Sequence, residues 1–140
     1  MLLDYETLFE EDQAERTAAT FYSANYIDME VVGDAVDQLR ALCQFTETCT
    51  IEEGGPATTV RIILESDDVN TFDSALTTHL DSGVLALATC VKGYKPWGAG
   101  ARIPGGMKRY VRTKTVIGVG PLTTGAWTTA LVTGLQNNTL

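Results

Sequence analysis

The sequence predicts an all-β fold, and three observations carry that prediction. Its clearest hydrophobic runs alternate with polar residues at a period of two and are rich in β-branched side chains. Turn-forming residues separate these runs at intervals of about 8–12 residues, the spacing typical of a sandwich, jelly roll or barrel. The 140 residues, 44% of them hydrophobic, are enough for one domain with its own core and no staple of metal or disulfide.

Three segments give the strongest strand signals. Residues 58–65 place a valine, an isoleucine and a leucine on one face, between a Gly-Gly-Pro turn and a Ser-Asp-Asp turn. Residues 109–117 alternate basic or threonine side chains with apolar ones, and residues 126–135 form an uncharged, threonine-rich run. Because only a Gly/Pro/Thr turn separates the last two segments, they are predicted to form an antiparallel hairpin.

Shorter apolar runs between turn formers predict further strands. Residues 5–19 and 31–43 are the only helix candidates, and neither keeps a period of 3.6 for more than two turns. The expected organisation is an N-terminal arm or edge segment over residues 1–22, followed by a β-sandwich domain over residues 23–140. The shorter strands are predicted at residues 25–29, 39–50, 76–80, 84–87 and 99–103.

Charge is distributed unevenly along the chain. The net charge of −8 argues against a nucleic-acid partner, whose phosphates must be neutralised by basic side chains. Residues 1–70 carry three basic against sixteen acidic residues, a net of −13, whereas residues 71–140 carry seven against two, a net of +5. The two halves of a sandwich interleave, so this asymmetry either disperses over a solvated surface or favours docking on a charged partner or a second copy.

The termini and cysteines predict a protein of the reducing cytoplasm. Residues 1–17 are acidic and lack the basic and apolar regions of a secretory signal. Residues 115–140 carry no charge, but glycines, a proline and seven threonines make them too polar for a membrane span, so no membrane partner is expected. The cysteines form no C-x-x-C pair. Buried free thiols are therefore predicted at Cys43, Cys49 and Cys90.

No group of residues predicts catalysis, a cofactor or a metal site. His79 is the single histidine, has no nucleophile motif beside it, and is expected to be structural. The glycine-rich segment 100–108 lacks the Lys-Ser/Thr pair of a phosphate loop and is predicted to be a turn. Residues 66–73 lack the glycine and terminal glutamate of a calcium loop, so a turn built on Asp and Asn side-chain hydrogen bonds is predicted.

Three segments together resemble the small cement, or decoration, proteins of tailed-bacteriophage capsids. They are the N-terminal residues 1–14, the strand and turn Val60–Asp68 followed by Phe72, and the basic segment Arg102–Arg112. The order and spacing of the segments carry this resemblance over most of the chain. The sequence departs from the family pattern where Gly105 stands in place of a basic residue.

The resemblance implies a jelly-roll-like antiparallel β-sandwich with an N-terminal arm. It implies a protein made in the host cytoplasm and located in the virion, on the outer surface of the capsid. The expected partners are the major capsid protein, bound at junctions between capsomers, and the chain itself as a homo-oligomer, a dimer or a trimer. No cofactor and no catalytic residue is expected.

Two sets of residues are candidates for a capsid or subunit interface. A basic set is predicted to make charge-assisted contacts to acidic groups, and its alternative role is that of an exposed, solubilising strand face. An apolar N-terminal set is predicted to be a strap on a neighbouring subunit, and its alternative is an edge strand or short helix of the same domain. The basic set is Arg102, Lys108, Arg109 and Arg112; the apolar set is Leu2, Leu3, Leu8 and Phe9.

A carbohydrate- or receptor-binding β-sandwich on the virion is the second function that the sequence allows. Tyr94, Trp97 and Tyr110 lie near Gly/Pro-containing segments and could form an aromatic platform for a sugar. Trp127, in contrast, falls in a predicted strand and is expected in the core. A head-completion or tail protein is the third function, and an enzyme is the least supported.

Overall fold

The structure, a computed structural model, describes residues 8–13, 17–29, 39–98, 100–103 and 106–133. All regular secondary structure in these ranges is β, so no described helix is long and apolar enough to cross a membrane. The strands of the described ranges are β1 (Leu8–Gln13), β2 (Thr20–Tyr22), β3 (Ile27–Asp28), β4 (Leu39–Thr50), β5 (Thr59–Asp67), β6 (Thr77–Asp81), β7 (Leu85–Ala86), β8 (Ala101–Arg102), β9 (Tyr110–Gly118) and β10 (Thr124–Thr133).

The strands form two antiparallel sheets. The four-stranded sheet has the order β1-β10-β4-β8, and the six-stranded sheet has the order β2-β9-β5-β6, with β3 also beside β9 and β7 also beside β5. The first half of the chain therefore lies antiparallel to the second half in reverse order: β1 pairs with β10, β2 with β9, β4 with β8, and β5 with β6. This strand order is that of a jelly roll. The predicted all-β, jelly-roll-like sandwich is confirmed.

Most predicted strands are present, and the predicted hairpin is wrong. The strand predicted at residues 39–50 has the same bounds as β4, and β5, β9 and β10 overlap their predicted segments. β9 and β10, however, lie in different sheets, because β9 pairs with β5 along nine residues and β10 pairs with β4. Residues 119–123 cross between the two sheets. The helix candidates are also wrong where the structure describes them, since they contribute β1 and the start of β4.

The core lies between the sheets in two apolar clusters. In one cluster the fully buried Trp127 packs edge-on against Phe45, with ring centroids 6.0 Å apart. The predicted core position of Trp127 is confirmed. The other cluster contains Phe9, Leu64 and Leu131. The predicted free thiols are also confirmed, because all of them are buried and unbridged and lie in the Trp127 cluster: Cys43, Cys49 and Cys90.

Gly125 allows β10 to approach β4 closely. Its φ of 143° lies in a region that other residues rarely adopt, and a Cβ placed there would lie 2.6 Å from the Cys49 Sγ atom. The glycine therefore fixes the start of β10 beside the buried thiol.

Candidate functional site

The predicted interface residues fall on different parts of the sandwich. Leu2 and Leu3 lie outside the described residues. Phe9 is fully buried in the core between the sheets, and Leu8 is buried in a separate apolar cluster with Leu42 on the four-stranded sheet. The segment 1–22, predicted as an arm or edge segment, contributes β1 and β2, each of which is one of the two edge strands of its sheet.

The structure brings three of the four predicted basic residues together. Lys108, Arg109 and Arg112 lie just before and within β9, at the outer side of the six-stranded sheet. Arg112 points away from the core because its neighbours Val111 and Thr113 are fully buried. Arg102 is exposed on β8, which belongs to the other sheet.

Arg112 is held between two aromatic rings. Its guanidinium carbon lies 3.8 Å from the ring centroid of Tyr22 and 4.1 Å from that of Phe72. Its Nε donates a 2.7 Å hydrogen bond to Oε1 of Glu65, and Lys114 Nζ lies 3.3 Å from the other oxygen of that carboxylate. Glu65 is only 2% exposed. Two cations thus pair with one buried carboxylate, which fixes the guanidinium plane.

Further aromatic contacts extend this arrangement along the sheet. The Tyr26 ring meets Phe72 and Tyr110 edge-on, at centroid distances of 6.1 and 5.7 Å. Arg109 lies 5.0 Å from the Tyr110 centroid, and its Nε and Nη2 donate to the two Asp28 oxygens at 2.8 and 2.9 Å. We name this continuous chain of side-chain contacts the arginine–aromatic strip. It consists of Tyr22, Arg112, Phe72, Tyr26, Tyr110 and Arg109.

A loop organised by Asp67 delivers Phe72 to the strip. The buried Asp67 carboxylate accepts backbone hydrogen bonds from both ends of the loop, which confirms the predicted side-chain-bonded turn. Burial alone would raise the pKa of Asp67, but these bonds outweigh it and hold the pKa below its usual value. Phe72 adopts a φ of 55° in this loop. The donors are the N–H groups of Ala75, Ser74, Asp68 and Val69, at 2.6–3.4 Å.

His79 forms a hydrogen bond with the buried Ser66. Ser66, fully buried, accepts a 3.1 Å hydrogen bond from the Lys108 backbone N–H, and its hydroxyl lies 2.6 Å from His79 Nε2. Partial burial, and then the charge of Lys108, lower the pKa of His79, which favours the neutral ring as acceptor of the Ser66 proton. The bond fastens β6 and the segment before β9 to β5. Within the described ranges no three metal-ligating side chains cluster.

Sequence reasoning missed three members of the strip, Tyr22, Tyr26 and Phe72. In the sequence, Tyr22 and Tyr26 are visible only as two tyrosines four residues apart in a polar segment. Their position beside Arg112 and Tyr110 depends on the pairing of β2 and β3 with the distant β9. The residues of the predicted sugar platform each contact other parts of the fold. Tyr94 stacks on the core residue Phe45, and Trp97 packs against both core clusters, whereas Tyr110 lies in the strip.

The fold and the site define a jelly-roll β-sandwich with an ordered arginine–aromatic surface on its six-stranded sheet. A protein-family model named Bbp16 matches residues 9–131. The chain therefore belongs to the Bbp16 family, which is phage-related. A search of curated proteins finds no match.

Proposed function

We propose that this chain is a decoration protein that binds the outside of an assembled phage head and stabilises it. In this proposal it bridges junctions between copies of the major capsid protein. The observation that carries the proposal is the match to a phage-related family over residues 9–131. The jelly roll supports it, since two packed sheets give a rigid platform for contacts with neighbours.

Ion pairs within the protein neutralise part of the charge difference between the two halves of the chain. Five ion pairs of the described residues each join the first half of the chain to the second, as the reverse-order pairing of a jelly roll allows. The basic excess of residues 71–140 is therefore partly neutralised within the protein.

Repetition would make modest contacts effective. A symmetric shell presents one binding site many times, and a homo-oligomer that touches two subunits gains effective concentration from its second contact. Lys108, Arg109 and Arg112 supply contacts from the six-stranded sheet in this proposal, and Arg102 supplies one from the other sheet. Of the N-terminal set, Leu2 and Leu3 are proposed to support the junction with a neighbouring subunit. Leu8 and Phe9 are buried within this domain, as their alternative role in an edge strand requires.

Co-sedimentation tests the proposal. Purified protein is mixed with empty shells made without it, immature or expanded, and light scattering gives its own oligomeric state. Saturable binding at a fixed ratio to capsid subunits, with greater resistance of the shells to heat, is expected. Absence of binding to both kinds of shell, together with specific binding on a glycan array, would replace the proposal with a carbohydrate-binding role.

A further inference from the structure

Arg112 presents unused hydrogen-bond donors at the surface. Only its Nε is bonded, to Glu65, and its Nη groups donate to no described residue. The side chain is 14% exposed, and its Nη atoms are not among the buried side-chain atoms that lack a hydrogen-bond partner, so solvent reaches them. Tyr22 and Tyr26, 52% and 48% exposed, stand on either side of the Arg112–Phe72 stack, and their hydroxyls bond to no described side chain.

The charges behind this edge leave one cation in excess. A row of charges crosses the outer face of the sheet. Arg61 forms an ion pair with Asp81, and Arg112 forms one with Glu65. Lys114 lies between them: it forms an ion pair with Glu65 and attracts Asp81 electrostatically. This row contains three cations and two carboxylates, both carboxylates already bonded, and it ends at Arg112. This local excess of positive charge attracts a further carboxylate, although the chain as a whole has a net charge of −8.

We propose that the strip receives an acidic side chain of the shell protein, an Asp or Glu on an exposed loop, whose carboxylate accepts from the Arg112 Nη groups between Tyr22 and Tyr26. This inference rests on the proposed function and names the chemistry of its partner. Tyrosine and arginine, with tryptophan, are the residues enriched among those that dominate interface energetics. Here both are positioned before binding, which lowers the ordering cost of association.

The test measures the affinity of variants for empty shells. Arg112→Lys keeps the charge but removes the planar guanidinium, which a carboxylate recognises through two parallel bonds. Arg61→Lys is the matched control, because it makes the same change at the other end of the same row of charges. Tyr22→Ala is a second variant that leaves the Arg112–Glu65 pair in place. Urea unfolding verifies that each variant is folded.

We expect Arg112→Lys and Tyr22→Ala to weaken shell binding about tenfold or more, as central interface residues do, and Arg61→Lys to leave it unchanged. Conversion of the shell carboxylates to neutral amides with a carbodiimide and an amine should weaken the binding of the unaltered protein to a similar degree. Unchanged binding in either arm overturns the inference while the proposed function stands. Failure of the unaltered protein to bind untreated shells removes the proposed function and this inference with it.

A second copy of the chain is the competing occupant of the strip. If Tyr22→Ala or Arg112→Lys dissociates an oligomer in light scattering and shell binding changes only as a result, the strip is a contact between copies and the inference is wrong.

Discussion

Removal of Arg112 from the buried Glu65 should be one of the most destabilising substitutions of a polar residue in this fold, because it leaves the carboxylate with less compensation for its burial. Replacing Arg112 by methionine removes the cation, its hydrogen bond and its stacking on Tyr22 and Phe72, and leaves Glu65 with Lys114 alone. Loss of one partner of a buried ion pair costs about 3–5 kcal/mol. Because Lys114 remains 3.3 Å from the carboxylate, we expect about 2–3 kcal/mol here.

A double-mutant cycle in urea unfolding measures this contribution. Arg112→Met and Glu65→Gln are compared singly and together, and a coupling free energy of about 1–2 kcal/mol is expected. Arg61→Met is the control, because its pair with Asp81 is exposed and should contribute little. Equal destabilisation by Arg112→Met and Arg61→Met, or no coupling between Arg112 and Glu65, would refute the reasoning.

Three further predictions concern the frame around the strip. Burial and the charge of Lys108 hold the pKa of His79 below its unfolded value of about 6.5, so the free energy of unfolding should fall as the pH drops below that value. His79→Gln should remove this part of the pH dependence of stability. An unchanged pH dependence in the variant would contradict the prediction. Asp67→Ala should speed amide exchange throughout residues 68–75, with Asp67→Asn intermediate, whereas unaltered protection would show that the carboxylate does not organise the loop. Gly125→Ala should cost about 1–3 kcal/mol in chemical unfolding because its Cβ meets the thiol on β4, and a neutral effect would show that the sheet adapts.

Local patterns in the sequence predict the strands better than their partners. The bounds of β4 follow from its alternation and its flanking turn formers, and the same signals place β5 and β9. The strand that pairs with β9 cannot be predicted from the residues near β9 in the sequence. A Gly/Pro turn between β9 and β10 is compatible with a hairpin and with a crossing between sheets, and only packing of both strands against distant partners selects the crossing.

In the candidate site, too, the sequence predicts local features but not the contacts between distant residues. The basic residues around β9 are visible as a cluster in the sequence, but their partners Asp28 and Glu65 lie 81 and 47 residues away. Tyr22 and Phe72 acquire their role only through β2 pairing and through the loop that Asp67 organises. Sequence reasoning therefore finds the charges and misses the aromatic rings that fix them.

Electron cryomicroscopy of complete heads tests the central claim most directly. The account predicts jelly-roll density of this chain on the outer surface of the shell, at junctions between capsid subunits, which disappears from heads made without the protein. Heads whose outer surface is identical with and without the protein, or density of this chain confined to the portal or the tail, would contradict a decoration role.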